Sequence, residues 1–249
     1  MDYERFKGQY DRDGFVIIRD FLGLGELAEL NAQIDRFLAN VVPGLPDSQV
    51  LYEPTLDGAR AVRQIHRMSC DHYFDEYRHH PKWTSLARTL VGETVRGRPP
   101  YFFNKPADTD FSTPPHQDNC VFSLDPPNAV EILLATRERF DEESGCLRYL
   151  PGSHRCGMRP HKYSGIRGFA AEVADFGPDD EAIEAAVELA PGDVVCHHPL
   201  TVHRALRNRS RSRSRSGFSI WFQGESACID SRVLETYMNY AARAEIVGH

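Results

Sequence analysis

Ala190-Pro191-Gly192-Asp193-Val194-Val195-Cys196-His197-His198-Pro199-Leu200-Thr201-Val202-His203 is the stretch whose reading decides the fold. Pro-Gly-Asp marks a turn, the apolar run after it reads as a buried strand, and a second short strand follows and ends in His203. The same texture extends outward in both directions. Short aromatic or β-branched runs recur at Tyr101 to Phe103, Val121 to Leu124, Val130 to Thr136, Leu147 to Leu150 and Phe218 to Phe222, punctuated by Pro, Gly, Asn and Asp. Many short strands separated by turn residues predict a barrel or sandwich from about residue 95 onward.

Upstream of that region the period changes. Phe15-Val16-Ile17-Ile18 is a β-prone run, but Leu24, Leu27, Leu30, Ile34, Phe37 and Leu38 recur at helical spacing and predict a helix over 24–40. Val42-Pro43-Gly44 ends it. A second helix is predicted over 81–91, with Pro81 in its first turn and Gly92 at its close. No linker divides the chain, so residues 1–249 are expected to form one domain, a helical N-terminal third supporting a mainly β remainder. The acidic segment 175–188 reads as an excursion between strands.

With 249 residues, 41% hydrophobic, 26% charged and 10% aromatic, the chain is globular and not disordered or collagenous. A formal charge of −7 argues against nucleic acid or an anionic membrane surface as a partner. One local exception is the run Arg207, Arg209, Arg211, Arg213 and Arg215, alternating with serine from 210. It reads either as the tip of a solvated hairpin or as a docking patch for an anionic partner. The six cysteines include no C-x-x-C pair, the N-terminus lacks a signal-like segment, and no run is apolar enough to span a bilayer. A cytoplasmic location is the expectation.

Chemistry enters with Pro114-Pro115-His116-Gln117-Asp118-Asn119. In an extended strand His116 and Asp118 share a face, which supplies an imidazole and a carboxylate side by side. An H-x-D pair alone is a chance spacing in a chain with 11 histidines; it needs a third ligand, for which His197, His198 and His203 compete. Two histidines and one carboxylate with open positions suit non-haem Fe(II) oxygenases, while a zinc hydrolase or a metal-binding protein without turnover would use the same donors. Arg215 opens the aromatic strand Gly217 to Phe222, and by alternation Gly217, Ser219 and Trp221 share its face. Ser153-His154 and Cys196-His197 are adjacent pairs that point to opposite faces, so neither reads as a nucleophile with its base.

These residues resemble the phytanoyl-CoA dioxygenase family of Fe(II)- and 2-oxoglutarate-dependent oxygenases. The matching stretches are Tyr10 to Ile18, Asn104-Lys105-Pro106, Pro114 to Asn119, Ser144 to Arg155, and Gly192-Asp193 through His198 to His203. The block Pro151-Gly152-Ser153-His154 is the most specific of them. The resemblance implies a double-stranded β-helix (jelly-roll, cupin-like) core, with His116, Asp118 and His203 as Fe(II) ligands. It further implies that Arg215, with Arg213 as the alternative, pairs with the distal carboxylate of 2-oxoglutarate. Asn104 or Lys105 falls beside the co-substrate; strand parity admits only one, and Asn104 is favoured.

The implied reaction uses O2, forms succinate and CO2, and hydroxylates a small-molecule metabolite. Asp118 disfavours halogenation, which in similar folds needs a small residue there. Tyr101, Phe103, Asn119 and Trp221 are the candidate substrate residues. The chain departs from the family at Arg204, where glycine is common, and at Ala205, where a small polar residue is common. The alternatives are a non-oxidative metal protein such as a zinc hydrolase, or an interaction protein using the Arg-Ser run. His66, His72, His79, His80, His161, His197, His198 and His249 are left without a role.

Overall fold

A computed structural model describes residues 2–55 and 59–247; His249 lies outside the described residues. Two antiparallel sheets carry the architecture. The larger runs in the order Phe15–Ile18, Val194–His197, Ala129–Ala135, Arg215–Gly224, Tyr101–Lys105, Arg60–Ile65 and Val50–Pro54, with Val95–Gly97 also pairing along Arg215–Gly224. The smaller is Ala185–Val187, Leu147–Tyr149, His203–Ala205 and Thr113–His116. The chain weaves between the two sheets, the jelly-roll arrangement expected of the double-stranded β-helix.

Parity on the large sheet explains why its central strands are apolar on both faces. Ile132, Leu134, Val194, Cys196, Phe218, Ile220 and Phe222 point outward into a core shared with the helices. Those helices are Leu24–Asn40, which contributes Leu27, Leu30, Ile34 and Phe37, and Pro81–Val91, which contributes Trp83, Leu86 and Leu90. Both occupy the ranges that periodicity predicts. Each fully buried side chain of this kind is worth about 1.5–3 kcal/mol of transfer free energy. The alternate residues Leu133, Ala135 and Val195 point inward and meet Leu147, Tyr149 and Val187 of the small sheet. Phe15 stacks on Tyr149 across that gap with centroids 4.7 Å apart.

Several expectations need correction. The N-terminal third is not purely helical, because Phe15–Ile18 and the hairpin Val50–Pro54/Arg60–Ile65 belong to the large sheet. The run Val121 to Leu124 is mostly a helical turn, Asn119–Phe122, whose Val121 and Phe122 amides donate to the Asp118 carbonyl. The acidic segment holds a short helix, Pro178–Ile183, and then Ala185–Val187, the edge of the small sheet. A C-terminal helix, Ser231–Val247, was not anticipated; it packs beside the hairpin His161–Ile166/Phe169–Val173 and, through Tyr237, reaches the cavity between the sheets. Among the described residues no helix is long and apolar enough to cross a membrane.

The Arg-Ser run is tied to the body of the protein. Arg207 pairs with Asp110, Arg213 with Asp141 and Glu143, and Asn208 Nδ2 donates to the Lys105 and Arg213 carbonyls. The run is therefore not a hairpin tip: it connects His203–Ala205 of the small sheet to Arg215–Gly224 of the large one, Asn208 and Ser210 are buried, and part of its positive charge is neutralised within the chain.

Candidate metal centre

Thr113–His116 and His203–Ala205 are paired so that His203 lies directly opposite His116. Directly opposed residues of an antiparallel pair project to the same face with Cβ atoms about 4.5–5.5 Å apart, and the two rings lie with centroids 4.2 Å apart. Asp118 joins them by a different route from the one parity suggests. The strand stops at His116, and Asp118 has helical dihedrals (φ −60, ψ −26) at the head of the Asn119–Phe122 turn. That turn folds the carboxylate back. Asp118 Oδ1 comes within 3.4 Å of His116 Nε2 and 3.7 Å of His203 Nε2, and all three residues are buried.

Both histidines are fixed in the tautomer a metal needs. His116 Nδ1 donates to the Pro114 carbonyl at 2.8 Å and His203 Nδ1 to the Thr201 carbonyl at 3.1 Å. A carbonyl can only accept, so each Nε2 is left with its lone pair facing the centre. Burial, and then the neighbouring His116, hold His203 well below the usual imidazole value, so it stays neutral. Burial opposes the charge on Asp118, but the hydrogen bond that His197 donates to Oδ2 favours it, and the carboxyl lies well below the usual carboxylate range. Two imidazole nitrogens and one carboxylate oxygen converge on the cavity and fit an Fe(II) ion that must keep positions open; Asp118 also belongs to a second group of donors, with Glu131 and His197, whose ligand atoms lie within 4.8 Å of one another.

His197 is the residue that sequence reasoning missed. It points inward, one alternation from Val195, and its Nε2 donates to Asp118 Oδ2 at 2.7 Å while Tyr149 Oη donates to its Nδ1 at 3.1 Å. The oxygen of Asp118 turned away from the histidine pair is thereby held by a hydrogen-bonded chain. His198, next in sequence, faces the opposite way, and burial lowers it to about 4.

The cavity is about 160 Å³ and is lined by the metal cluster, Thr113, Tyr101, Phe103, Glu131, Leu133, Phe169, Ala205 and Arg215 among others. Arg215 is 5% exposed, donates one hydrogen bond to the Gly145 carbonyl at 3.0 Å, and sits over the Phe140 ring. It has no carboxylate partner among the described residues, and its Nε is buried without an acceptor. Burial lowers its pKa only to about 10, so it remains a cation at neutral pH. A buried, charged guanidinium without an anion is costly unless a ligand supplies one. Arg213 is instead at the surface with Asp141 and Glu143 and does not line the cavity.

The other candidates separate. Tyr101 and Phe103 line the cavity, and Lys105 shares their parity, so the preference for Asn104 as the inward residue is overturned: Asn104 Nδ2 bonds the Val62 carbonyl on the other face. Lys105 does not line the cavity either, because its ammonium donates to the Phe111, Ala205 and Leu206 carbonyls. Asn119 is withdrawn into its own turn, bonding Leu124 through both ends of its amide. Trp221 stacks on Phe122 at 4.0 Å, outside the cavity lining. Arg204, which takes the place of a glycine common in the family, is held by Glu181 and Glu184. Ala205 is in register with Thr113, so the hydroxyl lacking at one position is offered by the neighbouring strand.

Residues 10–217 match the phytanoyl-CoA dioxygenase (PhyH) family. The chain belongs to that family. It is 26% identical to peroxisomal phytanoyl-CoA dioxygenase of Rattus norvegicus, over 95% of this chain and 72% of the relative. It is 28% identical to the ectoine dioxygenase of Nocardia farcinica over 59% of this chain and 49% of that protein. In fold it is similar to the epimerase SnoN, solved with Fe3+, alpha ketoglutarate and nogalamycin RO (TM-score 0.73, 22% identity, 93% of this chain and 88% of that one). It is also similar to EctD from S. alaskensis, solved with 2-oxoglutarate and 5-hydroxyectoine (TM-score 0.73, 17% identity, 91% of this chain and 77% of that one). As a member of its family this protein is an Fe(II)- and 2-oxoglutarate-dependent dioxygenase that uses O2 and acts on a small molecule.

Proposed function

We propose that His116, Asp118 and His203 hold the Fe(II), that Arg215 takes the distal carboxylate of 2-oxoglutarate, and that the outcome is hydroxylation of a small-molecule metabolite. The observation that carries this reading is the convergence of two Nε2 lone pairs and one carboxylate oxygen on a cavity that also receives a buried, carboxylate-free arginine. With 2-oxoglutarate and O2 the metal supplies an oxidant, and succinate and CO2 are released. The chain's own residues orient and enclose. The carbonyls of Pro114 and Thr201 fix the two imidazoles, His197 fixes Asp118, and Thr113 offers a hydroxyl beside Ala205. Phe169, Phe103 and Leu133 make the cavity apolar enough to exclude water from the reacting centre.

The single-domain organisation and a cytoplasmic location belong to the same proposal; all six cysteines are free thiols, as a reducing compartment allows. The test is an anaerobic titration with Fe(II) and 2-oxoglutarate, which is expected to produce a weak visible charge-transfer band. Adding O2 should then release succinate slowly even without substrate. A chain that binds Zn(II) but gives neither band nor succinate would overturn the assignment.

A further inference from the structure

Glu131 enters the cavity from the Ala129–Ala135 strand and is partly exposed to it. Its Oε1 accepts the Ser219 hydroxyl at 2.5 Å, and it has no Lys or Arg partner among the described residues. His197 is directly opposite in the sheet and, with Asp118, has its ligand atoms within 4.8 Å of the Glu131 carboxylate, but its own hydrogen bonds go to Asp118 and Tyr149. Arg204 is committed to Glu181 and Glu184. Arg215 lies at the far end of the same wall: Glu131 is in register with Trp221, and the six residues from there back to Arg215 span about 20 Å of strand.

The surroundings of Glu131 are aromatic. Tyr101, Phe103, Phe122 and Tyr237 line the same cavity, with Tyr101 and Phe103 stacked at 6.0 Å and 8°. A carboxylate among ring faces is a receptor for an alkylammonium, since the rings add quadrupole attraction to the ion pair. Net charge agrees. A divalent cation with Asp118, and a dianionic co-substrate with Arg215, together leave no excess of positive charge, and Glu131 has no Lys or Arg counter-ion among the described residues. Burial and the neighbouring Asp118 push its carboxyl up to about 7, and a cation seated against it favours the ionised form.

Resting on the proposed function, we infer that the substrate carries a basic amine and that Glu131 binds its ammonium group. Selectivity then follows from chemistry: an amine is taken, while an alcohol of the same size gains less and a carboxylate is repelled.

Calorimetric titration of the full chain, loaded anaerobically with Fe(II) and 2-oxoglutarate, with n-butylammonium, n-butanol and butyrate in turn tests this. Butylammonium is expected to bind, and to bind more tightly than the other two. Glu131→Gln, which keeps the shape and the Ser219 contact, should weaken butylammonium at least about tenfold, as loss of one partner of a buried charge pair does. Glu131→Asp should restore part of the affinity. The inference is overturned if butylammonium fails to bind, binds no better than butanol or butyrate, or binds Glu131→Gln as well as the unaltered chain. The three-probe comparison needs no variant, so a misfolded Glu131→Gln does not spare it. The visible band is recorded on the same samples: a band without amine selectivity sinks the substrate class alone, whereas a missing band sinks the oxygenase assignment.

Discussion

Two of the histidine pairs that face each other among the described residues, His116 with His203 and His154 with His198, differ in that only the first is built for chemistry. His116 and His203 are cross-strand neighbours whose Nδ1 atoms are tied to carbonyls two residues back, so their Nε2 atoms converge on Asp118. His154 and His198 also lie close, with centroids 5.4 Å apart, and one nitrogen of each bonds the backbone, but His154 Nδ1 meets no hydrogen-bond partner among the described residues. His154 Nε2 donates to the Asp11 carbonyl and His198 Nδ1 accepts the Leu200 amide. No carboxylate joins them in a cluster of metal-ligand donors among the described residues. The second pair belongs instead to a clasp. A Cβ on Gly14, at φ +81, would fall 2.5 Å from both His154 Nδ1 and Thr201 Oγ1. The Gly152 amide bonds the Asp13 carbonyl, the Thr201 hydroxyl bonds the Gly14 carbonyl, and the Val202 amide bonds Ser153 Oγ. The clasp fastens the segment that leads into His203. What distinguishes a ligand from a strut is where its second nitrogen is spent, and proximity alone does not decide it.

The largest effect that could break this contrast is on the metal itself. His203→Ala should abolish Fe(II) binding and the visible band in the presence of 2-oxoglutarate; a variant that retains both would move the centre elsewhere. Next comes the co-substrate arm. Arg215→Ala should raise the 2-oxoglutarate KM by at least about thirtyfold, the effect of leaving one member of a buried charge pair alone. Arg213→Ala should leave that KM unchanged, because its guanidinium is spent on Asp141 and Glu143 at the surface. Steady-state assays of succinate formation read both, and an inverted pattern would show that the co-substrate approaches from outside the cavity.

How far the sequence speaks to these residues depends on whether local geometry or the fold sets them. The helices Leu24–Asn40 and Pro81–Val91 are legible because their apolar period is local. The strand Arg215–Gly224 is legible for the same reason, and it places Arg215 and Ser219 on one face. His116 and Asp118 are found for a partly mistaken reason: the spacing assumes a strand through both, whereas the carboxylate returns on a helical turn. Val121-Phe122 looks like a strand because an apolar doublet between polar residues fits either period, and only the Asp118 carbonyl, by accepting both amides, settles it. Asn104 fails by a rule already in hand, since naming Tyr101 and Phe103 as pocket residues obliges residue 105 to share their face. His197 carried the same signal through Val195. What parity could not supply is its partner: Asp118 lies 79 positions away in sequence, on the turn that follows a strand of the other sheet, and Tyr149 is 48 away.

His197 offers the next measurement. If it orients Asp118 by holding Oδ2, His197→Phe should weaken Fe(II) binding about 10–100-fold, the range expected when an outer partner of a metal ligand is lost. His197→Asn, which can still donate, should recover part of that loss, and recovery is what separates positioning from mere packing. Equal losses in the two variants would reduce His197 to a core residue.

The smallest expected effect falls on the other pair. His154→Ala removes one hydrogen bond to the Asp11 carbonyl and relaxes the contact with Gly14, so stability should fall by about 1 kcal/mol while Fe(II) affinity stays as it was. Chemical denaturation of the metal-free chain reads the first quantity and an anaerobic Fe(II) titration the second. A loss of iron affinity comparable to that of His197→Phe would mean that the clasp transmits strain into the His203 strand. The strut would then be part of the centre after all, and the two histidine pairs would form one device.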